Sequence, residues 1–262
     1  MPEPVKTLGR DSLEDIAMLA LEFGRLLSEA GASARYVDEI AAQVATGLGA
    51  ERVDLRVGYA SLAITIGIGP DGITRMRKVG PLGVNQTLDL ALREAAAQIE
   101  RGGISVAVAR AELDGIVRAS TPHASWVMAV AVGAACAAFG RLIGVDWAGV
   151  GQVFLAALLG QLVRHWLTSR RVNVFVATTV VAFVSSAVCG LGARLAGSGT
   201  MAAAMVASVL LLVPGVPALN GQNDILEGHP TLGSARIVWV TVIVVFVTAG
   251  LWLAQGLLGG WR

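Results

Sequence analysis

Helix-breaking and hydrogen-bonding residues crowd into one short stretch of this 262-residue chain, inside a half that is otherwise apolar. After a run at 200–213 come Pro214, Gly215, Val216 and Pro217, then Asn220, Gln222, Asn223, Asp224, Glu227, Gly228, His229 and Pro230. Pro214 lacks an amide donor and clashes with the preceding turn, so a helix must break or kink there. Pro217 suits the first position of a new helical piece. A helix start leaves amide groups unpaired and carries positive partial charge, which is the chemistry that holds an anion. Pro217 donates nothing, so the expected donors are the amides that follow it and the side chains of Asn220 and Asn223. Asp224 has two candidate roles, holding an ammonium group or carrying a proton. An ionised carboxylate in apolar surroundings is costly unless paired, and Arg236 is the nearest basic residue in sequence that could pair with it. Pro214, Gly215, Pro217, Asn220, Asn223 and Asp224 therefore form the candidate binding set. Arg236 and Asp146 are candidates for an ion pair or for coupling, although Asp146 also fits the end of a helix at a surface. The whole stretch also fits a plain loop with a proline start.

A second set of candidates lies near the start of the chain. Ser33 and Arg35 follow Gly31 at a predicted helix boundary, where Ser33 fits a helix cap and Arg35 fits a surface or interdomain ion pair. Their functional alternative is a role within the N-terminal domain. Gly67, Gly69 and Gly72 match the dinucleotide fingerprint letter by letter. That motif needs a helix straight after its glycines, whereas Pro70-Asp71-Gly72 makes a turn into a strand. No Gly-Lys-Ser/Thr phosphate loop is present, and His123, His165 and His229 lack metal-ligand spacing. Neither a cofactor nor a metal is expected. Cys136 and Cys189 lie in apolar runs and read as buried free thiols.

These residues must be positioned by two unlike halves. The chain carries a net charge of +1, is 55% hydrophobic and only 15% charged, and has a mean hydropathy of +0.67. Soluble domains carry about 25% charged residues. The balance excludes a nucleic-acid binder, which needs a basic surplus, and a disordered chain. Residues 1–122 hold 13 of the 20 Lys and Arg and 16 of the 19 Asp and Glu. The second half is left with long uncharged windows at 119–140, 147–163, 172–193, 195–223 and 237–261. About 20 apolar residues span the hydrocarbon, so the windows predict five transmembrane helices. They are placed at about 124–140, 146–164, 172–192, 199–226 (broken at 214–217) and 237–258. Residues 1–30 include Asp11, Glu14, Asp15, Glu22 and Glu29, which is unlike a secretory signal. Arg118, Arg164, Arg170, Arg171 and Arg236 fall on one side of the predicted membrane, and Arg141, Arg194 and Arg262 on the other. The bias puts the N-terminal half in the cytoplasm and the C-terminus outside. Trp126, Trp147, Trp166, Trp252 and Trp261 lie near predicted helix ends, as interfacial anchors do. Small residues recur at Ala129, Gly133 and Ala137, and at Ala182, Ser186 and Gly190. Such stripes serve either packing within the chain or a subunit interface.

Within 1–118 the patterning predicts an α+β domain. Ser12-Leu-Glu-Asp15 reads as a capping box for a first helix ending near Gly31, and a second helix runs from Ser33 to about Leu48. Period-two alternation at Val53, Leu55 and Val57, and again at Leu62, Ile64, Ile66 and Ile68, predicts strands. A third strand follows near 73–79. Helices are predicted at about 85–101 and 105–117. The fold class is thus an α-helical integral membrane protein of five transmembrane helices (119–262), with an N-terminal cytoplasmic α+β domain (1–118).

The chain resembles the threonine/serine exporter family. The residues that carry the likeness are Gly31-Ala-Ser33-Ala-Arg35, the segment Leu212-Val-Pro-Gly-Val-Pro217, and Asn220, Asp224, Gly228-His229, Gly233 and Arg236 downstream. The likeness is closest to the family's short form, typified by the larger subunit of the bacterial succinate exporter, and it covers about residues 12–258. It implies multi-pass residence in a bacterial inner membrane and export of a small amino acid or carboxylate without ATP hydrolysis. Full-length members carry a second membrane half on the same chain. A separate small membrane subunit is therefore expected to supply that half, or else a homo-oligomer forms. Membrane lipid is the other expected partner. The competing class is a membrane-tethered enzyme with Ser33 and Arg35 as catalytic suspects. No His-Asp pair accompanies them in the sequence, and five helices are excessive for an anchor. A sensor or scaffold is a third reading that composition leaves open.

Overall fold

The computed structural model describes residues 9–67, 72–120 and 124–259. The chain divides into two compact units. One comprises residues 1–121 and 215–238, the other residues 122–214 and 239–262.

The first unit opens with α1 (Arg10–Ala30), whose apolar positions Ile16, Leu19, Phe23 and Leu27 recur at helical spacing and are buried. Gly9 takes the N-cap position and Ser12 lies within the first turn, so the expected capping box does not form. The helix begins at Arg10, with Gly9 in the extended backbone of an N-cap (φ −60, ψ 153). Gly31 ends α1 in the left-handed region (φ 97), and Ala32 N donates to Leu27 O at 3.0 Å. Then come α2 (Ala34–Gly47), β1 (Val53–Val57), β2 (Ser61–Ile66), β3 (Ile73–Lys78), α3 (Gln86–Glu100) and α4 (Val106–Ala119). The sheet is antiparallel in the order β1-β2-β3, with Val53 opposite Ile66 and Ile66 opposite Ile73. Central β2 turns Leu62, Ile64 and Ile66 into the core, where α1 covers them. The expected positions of Ile68, Pro70 and Asp71 lie outside the described residues. The strand that follows at Ile73 agrees with the rejection of the dinucleotide motif. Asn85 caps α3 through Leu88 N at 3.0 Å.

This unit also holds α9 (Gly215–Leu226) and the first turns of α10 (Pro230–Leu257). One expectation changes here. The new helical piece starts at Gly215, so Pro217 is its third residue. The last helix begins at Pro230, ahead of the span expected at 237–258, and runs through Arg236, which pairs with Asp224.

The second unit contains α5 (Ser125–Leu142), α6 (Trp147–Ser169), α7 (Val174–Leu195), α8 (Met201–Ser208) with a 3-10 turn at Leu210–Leu212, and the rest of α10. α5, α6, α7 and α10 are each long and apolar enough to cross a membrane. The stretch from α8 to α9 adds a fifth span if the two pieces cross together. Both small-residue stripes are buried within the chain. A Cβ on Gly133 would lie 2.9 Å from the Phe154 carbonyl oxygen, and one on Gly190 would lie 2.9 Å from Met205 Sδ. The stripes therefore serve packing within the chain. Trp126, Trp147, Trp166 and Trp252 are exposed near helix ends, while Trp261 lies outside the described residues. Cys136 and Cys189 are buried free thiols.

Candidate functional site

The corner between α1 and α2 leaves backbone groups that neither helix satisfies, as every helix end does. Ser33 has the extended backbone of an N-cap (φ −72, ψ 162), yet its hydroxyl makes no capping bond. The capping role expected for Ser33 falls to a residue far along the chain. Ala34 N donates to Asp224 Oδ1 at 2.8 Å. Arg236 Nη1 donates to Asp224 Oδ2 at 2.7 Å, and Arg236 Nη2 donates to Ala32 O at 3.0 Å. Asn220 Nδ2 donates to Gly31 O at 2.6 Å. Asp224 is 0% exposed and Arg236 3%. A buried pair is tolerated when further hydrogen bonds occupy both ions, and here backbone groups of the corner do so.

The glycines of this region make the reach feasible. Gly228 turns the chain with φ 89 between α9 and α10. A Cβ on Gly233 would sit 2.6 Å from Gly221 O, so the two helices touch backbone to backbone. Nearby, burial pushes the Tyr59 phenol up against the opposing charge of Arg236. Burial likewise raises the Asp38 carboxyl, with His229 opposing and Asp54 and Glu39 adding to it.

Beside this network lies a polar cavity of about 260 Å³. Ser33, Arg35 and Tyr36 line it from the start of α2, and Gln86, Asp89 and Arg93 from the start of α3. Asn220 and Asn223 close it from α9, and Glu227 from the turn after it. The two guanidiniums flank one ring. Arg35 lies 4.8 Å and Arg93 4.0 Å from the Tyr36 centroid. Arg35 Nε also lies 3.2 Å from Glu227, and Arg93 Nε 2.9 Å from Asp89. The lining thus offers guanidinium forks and amides to a carboxylate, and two carboxylates to an ammonium group. Ser33 is only 6% exposed and its hydroxyl has no capping bond.

Residues 18–258 match the family described as putative threonine/serine exporter. The chain belongs to that family. Over 249 residues it is 27% identical to the probable succinate transporter subunit YjjP of Klebsiella aerogenes, and 26% identical to the protein of the same name from Escherichia coli strain K12. Each alignment covers 94% of this chain and 96% of the relative. No solved structure matches. Membership makes this a multi-pass membrane protein of transport, not an enzyme, and sets aside the membrane-tethered catalyst.

In this exporter-family chain the structure brings Ser33, Arg35, Asn220 and Asn223 to one cavity, with Asp224 and Arg236 joined to it through the Gly31–Ala34 backbone. Gly215 and Pro217 lie in the first turn of α9 and are not among the lining residues. Pro214 belongs to the other unit, just before α9. Asp146 is in that unit too, where it caps α6. It accepts from Gly149 N at 2.7 Å, Ser198 Oγ at 2.8 Å and Gly199 N at 2.8 Å. Sequence reading missed Tyr36, Gln86, Asp89 and Arg93. Their one signal was Asp89 and Arg93 at i, i+4, which on any helix also reads as a solvated pair.

Proposed function

We propose that this chain is a subunit of a bacterial inner-membrane exporter. Its cargo is a small carboxylate-bearing metabolite, of the serine/threonine or the succinate class, moved by secondary transport without ATP hydrolysis. One observation carries the site reading. Two segments about 190 residues apart, Gly31 to Arg35 and Asn220 to Arg236, are hydrogen-bonded into a single corner beside a cavity with two guanidiniums. The cargo carboxylate engages Arg35, Arg93 and the Ser33 hydroxyl, with Asn220 and Asn223 at the rim. Asp89 and Glu227 suit the ammonium of an amino acid. Displacing them from the arginines suits a second carboxylate. Asp224 and Arg236 hold the corner in place, while Pro214, Gly215 and Pro217 set the start of α9 and so the positions of Asn220 and Asn223. Asp146 acts as the cap of α6.

The N-terminal domain lies in the cytoplasm on this reading, supported by Arg170 and Arg171 between α6 and α7. Arg236 no longer counts toward that bias, since it is buried and paired. Chain parity supports a C-terminus on the opposite side. Three crossings by α5, α6 and α7 carry the chain across, yet α9 is bonded to α2. The bent stretch from α8 to α9 then returns the chain, and α10 crosses last. A companion membrane subunit is supported by the relatives' description as transporter subunits and by the sparse burial of the spans, between 22% and 44% of each apolar window. Surfaces left over face lipid. Efflux of labelled serine, threonine and succinate from cells with and without the gene tests the reading. Arg93→Gln and Ser33→Ala should each raise the KM of the exported solute by about ten-fold at unchanged abundance. Unchanged KM in both would move the site elsewhere.

A further inference from the structure

Arginines on the apolar helices are accounted for differently. Arg141 and Arg194 lie in the last turns of α5 and α7, where they reach the ends of their spans. Arg236 is paired with Asp224. Arg164 lies five residues before Ser169, the end of α6, which is about 7.5 Å of helical rise. No carboxylate lies within 4.0 Å of it among the described residues. Among the described residues its guanidinium makes one hydrogen bond, from Nη1 to Leu211 O at 3.3 Å. Leu211 sits in the 3-10 turn just ahead of the break, where helical pairing of carbonyls fails.

One turn back on α6, a Cβ on Gly160 would collide with Ser185 Oγ and would lie 3.5 Å from Leu211 Cδ2. So α6, α7 and the 3-10 turn meet at this point. Ser185 and Ser186 are fully buried, and their hydroxyls have no partner among the described residues. The same holds for Gln161 Oε1. Hydroxyls inside apolar helices ordinarily bond a carbonyl three or four residues back. Thr178, Thr179 and Ser208 do so here, to Val174, Phe175 and Met205. Ser185 and Ser186 do not. A cation without an acid and the unpartnered Ser185 hydroxyl thus lie either side of Gly160 and Leu211 in an apolar unit, where ionisable groups mark solute pathways.

We propose that Arg164 and Ser185 form an anion site in the membrane unit, which takes the carboxylate of the exported solute beside the break that follows Leu212. The proposal rests on the exporter reading above, but it adds a site separate from the cavity at the α1–α2 corner. Arg164 supplies the planar fork and Ser185 a hydroxyl donor. The exposed position of Arg164 leaves the fork open to solute or to a lipid phosphate, and the two sources give different results.

The test uses the full chain with its co-purifying membrane partner in vesicles, loaded in turn with succinate, L-serine and L-threonine. Arg164→Lys keeps a charge for lipid but loses the fork. Ser185→Ala removes an unpartnered hydroxyl, which a purely structural role would leave neutral or stabilising. Each variant should raise KM about ten-fold, with abundance and melting temperature unchanged. KM within two-fold of wild type for Ser185→Ala overturns the site, as does an Arg164→Lys variant that exports normally, which is the behaviour of a lipid anchor. Should Arg164→Lys fail to accumulate, Ser185→Ala decides alone. Wild-type vesicles that export none of the three solutes would instead refute the exporter reading itself.

Discussion

Asp224 illustrates how one residue can satisfy two demands at once, since its carboxylate caps α2 and neutralises Arg236. Removing either partner leaves a buried charge or an unmet amide. Asp224→Asn and Arg236→Gln should each cost about 3–5 kcal/mol and lower the yield of monodisperse protein in detergent. Replacing both by apolar residues should recover part of that yield. A normal yield for both single variants would argue that the pair is not structural. Glu22 provides a pH-dependent counterpart. Burial works against its charge, but hydrogen bonding and the charges of Arg25, Arg77 and Arg110 outweigh that and hold its carboxyl below the usual range. Its contribution is complete above the unfolded value of about 4.3 and is lost as pH falls through the depressed folded value. Glu22→Gln should therefore cost about 1 kcal/mol at neutral pH, a difference that shrinks on acidification, as thermal unfolding across pH would register. The pairing of Asp224 with Arg236 was legible in the sequence as the nearest opposite charge. Its cap on Ala34 was not, because no local pattern reports a contact across 190 residues.

Helices and strands were read well wherever one face is buried, because period 3.6 or period 2 is then written directly into the residues. β2 shows this in Leu62, Ile64 and Ile66. The misreadings came at ends. Ser33 carries a capping residue's backbone and sequence context, yet a distant carboxylate took its place. α10 begins at Pro230, seven residues ahead of the span expected at 237, and carries Arg236 paired with Asp224. Two glycines control the corner at this scale. Gly31 has φ 97, and a Cβ there would sit 2.6 Å from Gly83 O. Gly31→Ala should cost at least about 1–2 kcal/mol from backbone strain alone. Gly233→Ala, which drives a methyl group toward Gly221 O, should cost about 1–3 kcal/mol and separate α9 from α10. Thermal unfolding in detergent measures both, and wild-type stability in either would contradict the close approach.

For the molecule as a whole, composition divides the chain into an acidic and an apolar half, whereas the two compact units are drawn differently. Residues 215–238 belong to the unit of the N-terminal domain, although their sequence neighbours are apolar spans. Window counting could not see this, since α9 is drawn there by Asn220 and Asp224 and not by hydropathy. On the proposed topology, a cysteine placed at 225 should resist labelling from outside intact cells, like one at 168, while one at 258 should label. The reverse pattern would invert the orientation, and labelling at both 225 and 258 would break the parity argument. Efflux of preloaded succinate, L-serine and L-threonine from vesicles tests the central claim most directly, comparing vesicles that hold the chain, with any membrane protein that co-purifies, with vesicles lacking it. At least one of the three should leave faster with the protein present, and Arg35→Gln with Arg93→Gln in a folded double variant should slow it by about ten-fold or more at subsaturating solute. Identical rates for all three solutes with and without the protein would contradict the account.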